Sequence, residues 1–199
     1  MQEISKEQIC NLSRLPIPIE RNPCYKTVQQ LIDLDIGYKQ TELYDHYKSY
    51  SPKTLHDIYG VCDKLNYAFI NRDKSFAKNQ IKKIKLLISS IQENGYKPEK
   101  FLDRKGGHIT GYFLKEGTNK KFYVVSGNHR ASVLAALFPD QTIPVNIEKK
   151  EFMKKRDKVN RTNKSFKSTY DVGQAEDWPS VVSGFLKEEE AIQIARKYL

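Results

Sequence analysis

Residues Lys121 to Leu137 constrain the fold of this chain more than any other stretch. They read Lys-Phe-Tyr-Val-Val-Ser-Gly-Asn-His-Arg-Ala-Ser-Val-Leu-Ala-Ala-Leu. Phe122 to Val125 are aromatic or β-branched and predict a strand. Ser126 and Gly127 break that pattern, and Ala131 to Leu137, rich in alanine and leucine, predicts a helix. A strand that turns directly into a helix leaves the first helical N–H groups without intrahelical partners, aimed at one point. The helix dipole makes that point attractive to an anion. Gly127 allows the turn without Cβ strain. His129 and Arg130 stand at its mouth, and Arg binds phosphate through two parallel hydrogen bonds. Two readings stay open on these residues alone. Either Ser126, Gly127, Asn128, His129, Arg130, Ala131 and Ser132 hold a phosphate or carboxylate, or this is an ordinary connection. In the second case Asn128 is the N-cap and His129 a satisfied core side chain.

The flanking pattern adds to the first reading. Phe76 to Asn94 predicts a long amphipathic helix with Ala77, Ile81, Ile84, Ile88 and Ile91 on one face. Asn94-Gly95 stops it, and Pro98 follows. Ile109 to Leu114 and Lys121 to Val125 alternate like two strands, with Glu116 to Asn119 as the hairpin loop. Phe138-Pro139-Asp140 ends the second helix, and Thr142 to Ile147 predicts a further strand. The order is helix, hairpin, Gly-Asn-His-Arg turn, helix, strand.

From about Phe76 to Glu148 this order resembles the ParB/sulfiredoxin-like superfamily. The resemblance rests on Gly95-Tyr96-Lys97-Pro98, on Ser126-Gly127-Asn128-His129-Arg130, and on Ile143-Pro144-Val145. It implies an α+β fold with a small mixed sheet and packed helices, and nucleotide phosphates cradled on Gly127 to Ser132. Departures narrow the activity. Sulfiredoxins carry a reactive Cys where this chain has Asn128, which argues against sulfinic-acid reduction. Chromosome-partitioning ParB proteins carry a helix-turn-helix domain after the nucleotide domain, and the residues after Glu148 show no such pair. The free-serine kinases usually have Asp at the position of Ser126 and a second His at that of Asn128. A broader resemblance, through Ser126 to Leu137, Asp177-Trp178-Pro179, Gly184 and Glu188 to Ala191, is to poorly characterised bacterial proteins. These look similar to ones encoded among surface-polysaccharide genes.

The resemblance therefore implies a kinase that uses ATP or ADP with Mg²⁺ and phosphorylates a small polar hydroxyl compound, with glycan biosynthesis as the context. In that scheme His129 and Arg130 neutralise phosphate charge, and His129 is also a catalytic candidate. Phosphoryl transfer also calls for a carboxylate to orient or deprotonate the acceptor hydroxyl. Asp73 is the first candidate, after the strand-like Tyr67 to Ile70, with Arg72 beside it for a substrate anion. The plain alternative is that Asp73 and Ser75 cap the helix at Phe76. His108, on Gly106-Gly107-His108, is a second substrate-binding candidate or simply a surface turn. Glu20 is a weaker carboxylate candidate. The rival functions are a non-catalytic nucleotide-gated binding protein and a nucleic-acid-binding or nuclease-like protein. No P-loop, H-E-x-x-H or G-x-S-x-G motif occurs.

Charge keeps the last rival open. The net charge is +10 over 199 residues, and Lys149 to Lys167 holds nine basic residues against Glu151 and Asp157. A second basic stretch is Lys74 to Lys85. Nucleic acid, an anionic surface or a phosphorylated small molecule would each fit, as would a solvated face. Lys149 to Lys167 reads as a basic loop suited to close over a nucleotide. Cys10, Cys24 and Cys62 are too widely spaced for a zinc or disulfide framework. No apolar run reaches bilayer length and no signal core is evident, so a cytoplasmic protein is expected.

Three regions are expected. They are a helical extension over 1–66, the nucleotide-binding core over 67–148, and a basic loop with a closing helix over 149–199. In the first, Leu15 to Ile19 is extended by its prolines. Thr27 to Asp35, Thr41 to Tyr50 and Ser51 to Tyr59 predict helices, and the tyrosines from Tyr38 to Tyr67 suit either packing or base stacking. In the last, Trp178 is expected to anchor the segment, and Lys187 to Leu199 to form an amphipathic helix.

Overall fold

The structure is a computed structural model and describes residues 1–12, 15–34, 36–48, 74–101, 107–147, 167–182 and 186–199. Its strands and α-helices begin with β1 (Gln2–Ile4), β2 (Ile9–Leu12), β3 (Leu15–Pro18), α1 (Pro23–Asp33), α2 (Glu42–Lys48) and α3 (Lys74–Asn94). They continue with β4 (Ile109–Glu116), β5 (Asn119–Ser126), α4 (Asn128–Leu137), β6 (Ile143–Ile147), β7 (Thr169–Asp171), α5 (Pro179–Val182) and α6 (Glu188–Tyr198). The fold is α+β with a mixed sheet, as expected, and among the described residues that sheet has seven strands.

The β4–β5 hairpin is the centre of that sheet, whose order is β1-β6-β4-β5-β2-β3. On its other edge β4 pairs in parallel with two strands. It meets β6 over Ile109 to Gly111 and β7 over Phe113 to Lys115. β2 runs parallel to β5, and β1 closes antiparallel on β6. Alternation along the strands sends successive side chains to opposite faces. Ile109, Phe113, Phe122 and Val124 join one core, and Tyr112, Leu114 and Tyr123 join the other.

Helices α1, α3 and α4 cover the first face. On α3 the buried residues Ala77, Ile81, Ile84, Ile88 and Ile91 form the stripe that the sequence predicts. Each isoleucine so buried contributes about 2 kcal/mol relative to exposure. α1 begins on Asn22, whose side chain accepts from the Cys24 N–H at 2.8 Å, with Pro23 in the first turn. That start precedes the expected Thr27, because an Asn-Pro pair initiates a helix that propensity alone does not mark. Three side chains then cap α2. Gln30 accepts from Glu42 N at 2.8 Å, Thr27 from Leu43 N at 2.8 Å and Thr41 from Tyr44 N at 3.3 Å.

The C-terminal segment covers the second face. Trp178 is 1% exposed and donates from Nε1 to the Asp171 carbonyl at 2.9 Å. Packed beside it are Tyr170, Val172, Ala175 and, from α6, Ala191, Ile194 and Ala195. This is the anchoring role expected of the tryptophan. α6 carries Glu188, Glu189 and Glu190 in its first turn and Arg196 and Lys197 in its last, as its dipole favours.

β1, β2 and β7 go unpredicted by the residue pattern. Each has three or four residues, too few to show an alternation, and each forms because a longer strand offers it an open edge. Cys62, Gly184, the helix expected over Ser51 to Tyr59, Tyr50, the strand around Tyr67 and the basic segment from Lys149 to Phe166 lie outside the described residues. Among the described residues no helix is long and apolar enough to cross a membrane.

Candidate functional site

β5 runs into α4 through one residue. Gly127 adopts φ +92°, in the left-handed region, and is itself the N-cap of α4. Asn128 is therefore not the cap but the first helical residue. Glycine has no side chain to accept from the first-turn N–H groups, which precede the first intrahelical bond, Ala131 N to Gly127 O at 2.8 Å. The positive end of the helix dipole thus carries no N-cap side-chain oxygen. β4 brings a second segment to this turn. Thr110 is the register partner of Ser126, and the His108 carbonyl would stand 3.2 Å from a Cβ on Gly127. His108 is thus brought beside the turn by its backbone.

Arg130 is the most informative side chain here. Its Nε is buried and has no hydrogen-bond partner among the described residues. A buried donor left unmade is costly and calls for an explanation. Burial holds the guanidinium below its ordinary range, and the nearby Tyr96 works against that shift. Tyr96 is fixed by its own hydroxyl, which donates to the Gly107 carbonyl at 3.0 Å. The sequence element Gly95-Tyr96 therefore reaches the turn from the end of α3.

His129 is partly buried, and its pKa is brought down to about 4, first by burial and then by Lys83 and Arg130. At neutral pH its imidazole is uncharged in the free protein. Without a bound anion the imidazole thus brings no charge to the turn, and it offers a neutral ring that can donate one hydrogen bond beside the Arg130 guanidinium.

Ala131 and Ser132 are fully buried. Ser132 faces the Cys24 thiol of α1, though the pair forms no full hydrogen bond and Oγ has no other partner among the described residues. Burial pushes that thiol up to about 12. Their side chains are turned into the core, and the Ala131 N–H already donates to the Gly127 carbonyl, so the free first-turn N–H groups are those before Ala131. Arg72 and Asp73 lie outside the described residues. Glu20 follows β3 in a short turn, partly buried.

Lys83 escaped attention in the sequence because it sits within the run Lys82-Lys83 and nothing separates the two by residue type. The helix phase does separate them once the isoleucine stripe fixes the buried face. Among the described residues no three His, Cys, Asp or Glu side chains gather as a metal site. Comparison of the chain with protein-family models, with curated proteins and with solved structures found no match.

Proposed function

We propose that this chain binds a nucleotide by its phosphates at the start of α4 and transfers a phosphoryl group to a small polar hydroxyl compound. The observation that carries the reading is the buried, unpartnered Nε of Arg130 beside an N-cap that has no side chain. An anion there would accept from Arg130 and from first-turn N–H groups together. The helix, hairpin, glycine turn, helix and strand follow in the order that the resemblance to the ParB/sulfiredoxin-like superfamily implies, which supports a nucleotide over a lone carboxylate.

The chemistry follows from that placement. The acceptor oxygen forms a bond to the terminal phosphorus, the bond to the bridging oxygen of the nucleotide breaks, and the acceptor proton passes to a carboxylate. Asp73 is the carboxylate proposed. Mg²⁺ would come with the nucleotide, since phosphate oxygens and one or two carboxylates are its usual ligands.

Asp73→Asn tests the catalytic part. The variant should bind nucleotide as the wild type does and lose acceptor-dependent turnover. Turnover that survives the change removes Asp73 from the reaction. Wild-type binding without turnover for any hydroxyl compound would leave the non-catalytic nucleotide-gated reading.

One observation favours a nucleic-acid partner as a second reading. Lys78, Lys82 and Lys85 are exposed along one flank of α3 and have no acidic partner among the described residues. Nucleic-acid binding through them would weaken steeply with salt.

A further inference from the structure

The outer face of α3 is cationic with a leucine at its centre. The buried stripe from Ala77 to Ile91 packs against α1, α2 and α4 and fixes the phase of the helix. At about 3.6 residues per turn, the side opposite that stripe is centred on Leu86. Leu86 is 62% exposed, more than any other large apolar side chain among the described residues except Met1. Lys78, Lys82 and Lys85 run along one side of it and Lys83 stands on the other, all exposed. Lys82, Lys83 and Lys85 have no ion pair among the described residues, and Lys78 lies 5.7 Å from the centre of the Tyr38 ring. The only acid from Lys74 to Asn94 is Glu93, about two turns beyond Leu86.

The helix itself gains nothing from this arrangement. Lys78 and Lys82 are neighbours on its surface, as are Lys82 and Lys85, and each pair repels. An anionic partner relieves that repulsion. Three features decide which anion fits. All four cations are Lys, compact point charges suited to a diffuse charged surface, and α3 has no Arg to grip a phosphate or a base edge through two bonds. Phe76, the only aromatic residue of α3, is partly buried, so the outer face gives bases nothing to stack on. Leu86 adds nothing to a contact with phosphodiester backbone. At a lipid surface it enters the apolar edge of the layer while the flanking lysines stay at headgroup level.

We propose that the outer face of α3 docks on an anionic lipid surface, with Lys78, Lys82, Lys83 and Lys85 on the headgroups and Leu86 inserted between them. This surface uses neither Gly127 nor Arg130, so it goes beyond the nucleotide site and stands or falls apart from it.

The test is co-sedimentation of the full chain with vesicles of phosphatidylcholine alone and of phosphatidylcholine with about one third phosphatidylglycerol. The wild type should bind the mixed vesicles at least about ten-fold more tightly than the neutral ones, and lose most of that binding at high salt. Lys82→Gln, Lys83→Gln and Lys85→Gln together should cost at least about ten-fold on mixed vesicles, and the same three positions changed to Arg should keep wild-type binding. Leu86→Asn should cost about five-fold on mixed vesicles and leave binding to duplex DNA unchanged. All four positions are exposed, and circular dichroism checks that each variant keeps its helices. Equal binding to both vesicle types, or none, would overturn the proposal. So would duplex DNA that binds more tightly than mixed vesicles while Leu86→Asn binds both as the wild type does, which would assign the face to nucleic acid.

Discussion

Gly127 and Ile109 approach so closely that a Cβ on Gly127 would stand 3.0 Å from the Ile109 Cα. That contact joins the start of β4 to the start of α4 and sets where the first-turn N–H groups point. It also forbids a side chain, since Gly127 holds φ +92°. Gly127→Ala should therefore lose about 2 kcal/mol or more of stability, from the left-handed backbone and the clash together. Gly117 is the matched control. It has φ +59° and nothing within 4 Å of an added Cβ. Gly117→Ala should cost only about 1 kcal/mol. Urea unfolding of both variants measures the difference, and equal costs would mean that the Gly127–Ile109 approach is not tight.

The pH dependence of stability should carry the mark of His129. Its folded pKa lies near 4, below the ordinary value of 6.5. Between those values the unfolded chain binds a proton that the folded chain refuses. Stability should then be complete above pH 6.5 and fall as the pH drops towards 4, by about 2 kcal/mol after allowance for partial exposure. His129→Asn should remove that part of the slope. Parallel stability curves for wild type and variant between pH 7 and 4 would show that the imidazole is not held neutral.

Thr27 links α1 to α2 through a buried bond to the Leu43 N–H at 2.8 Å. Thr27→Val keeps the shape and leaves that N–H without its acceptor. A loss of about 1–3 kcal/mol is expected, with the far-ultraviolet circular dichroism unchanged below the transition. Wild-type stability in the variant would mean that Leu43 N finds another acceptor.

Trp178 tests how firmly the C-terminal segment belongs to the fold. It is 1% exposed in the second core, and Trp178→Ala should cost about 3–5 kcal/mol. Trp178→Phe should keep most of the packing and lose the bond to Asp171. A single cooperative transition that shifts strongly in the alanine variant is the expected record. An unshifted transition would mean that the segment unfolds apart from the sheet.

The parts legible in the sequence were the long or strongly patterned ones. The isoleucine period gave α3, the alternation of Ile109 to Leu114 and Lys121 to Val125 gave the hairpin, and Gly127 gave the turn. Short strands were not legible, because Ile9 to Leu12 is too short to show an alternation and joins the central sheet by pairing with Phe122 and Tyr123, more than a hundred residues away. At the site, Gly127 and Arg130 could be named from local spacing. The state of His129 could not, since it depends on burial and on Lys83 from another helix. Ser132 reads in sequence as a phosphate ligand, but the packing of α1 turns it into the core.

The central claim is that phosphates sit on the α4 turn and are held by Arg130. The most direct measurement is calorimetric titration of ATP, ADP, CTP and GTP, each with Mg²⁺, into the wild type and Arg130→Ala. Selective binding of one nucleotide by the wild type, lost in a variant whose thermal unfolding remains cooperative, is the predicted result. Equal nucleotide affinity in both proteins, or no binding of any nucleotide by the wild type, would contradict it.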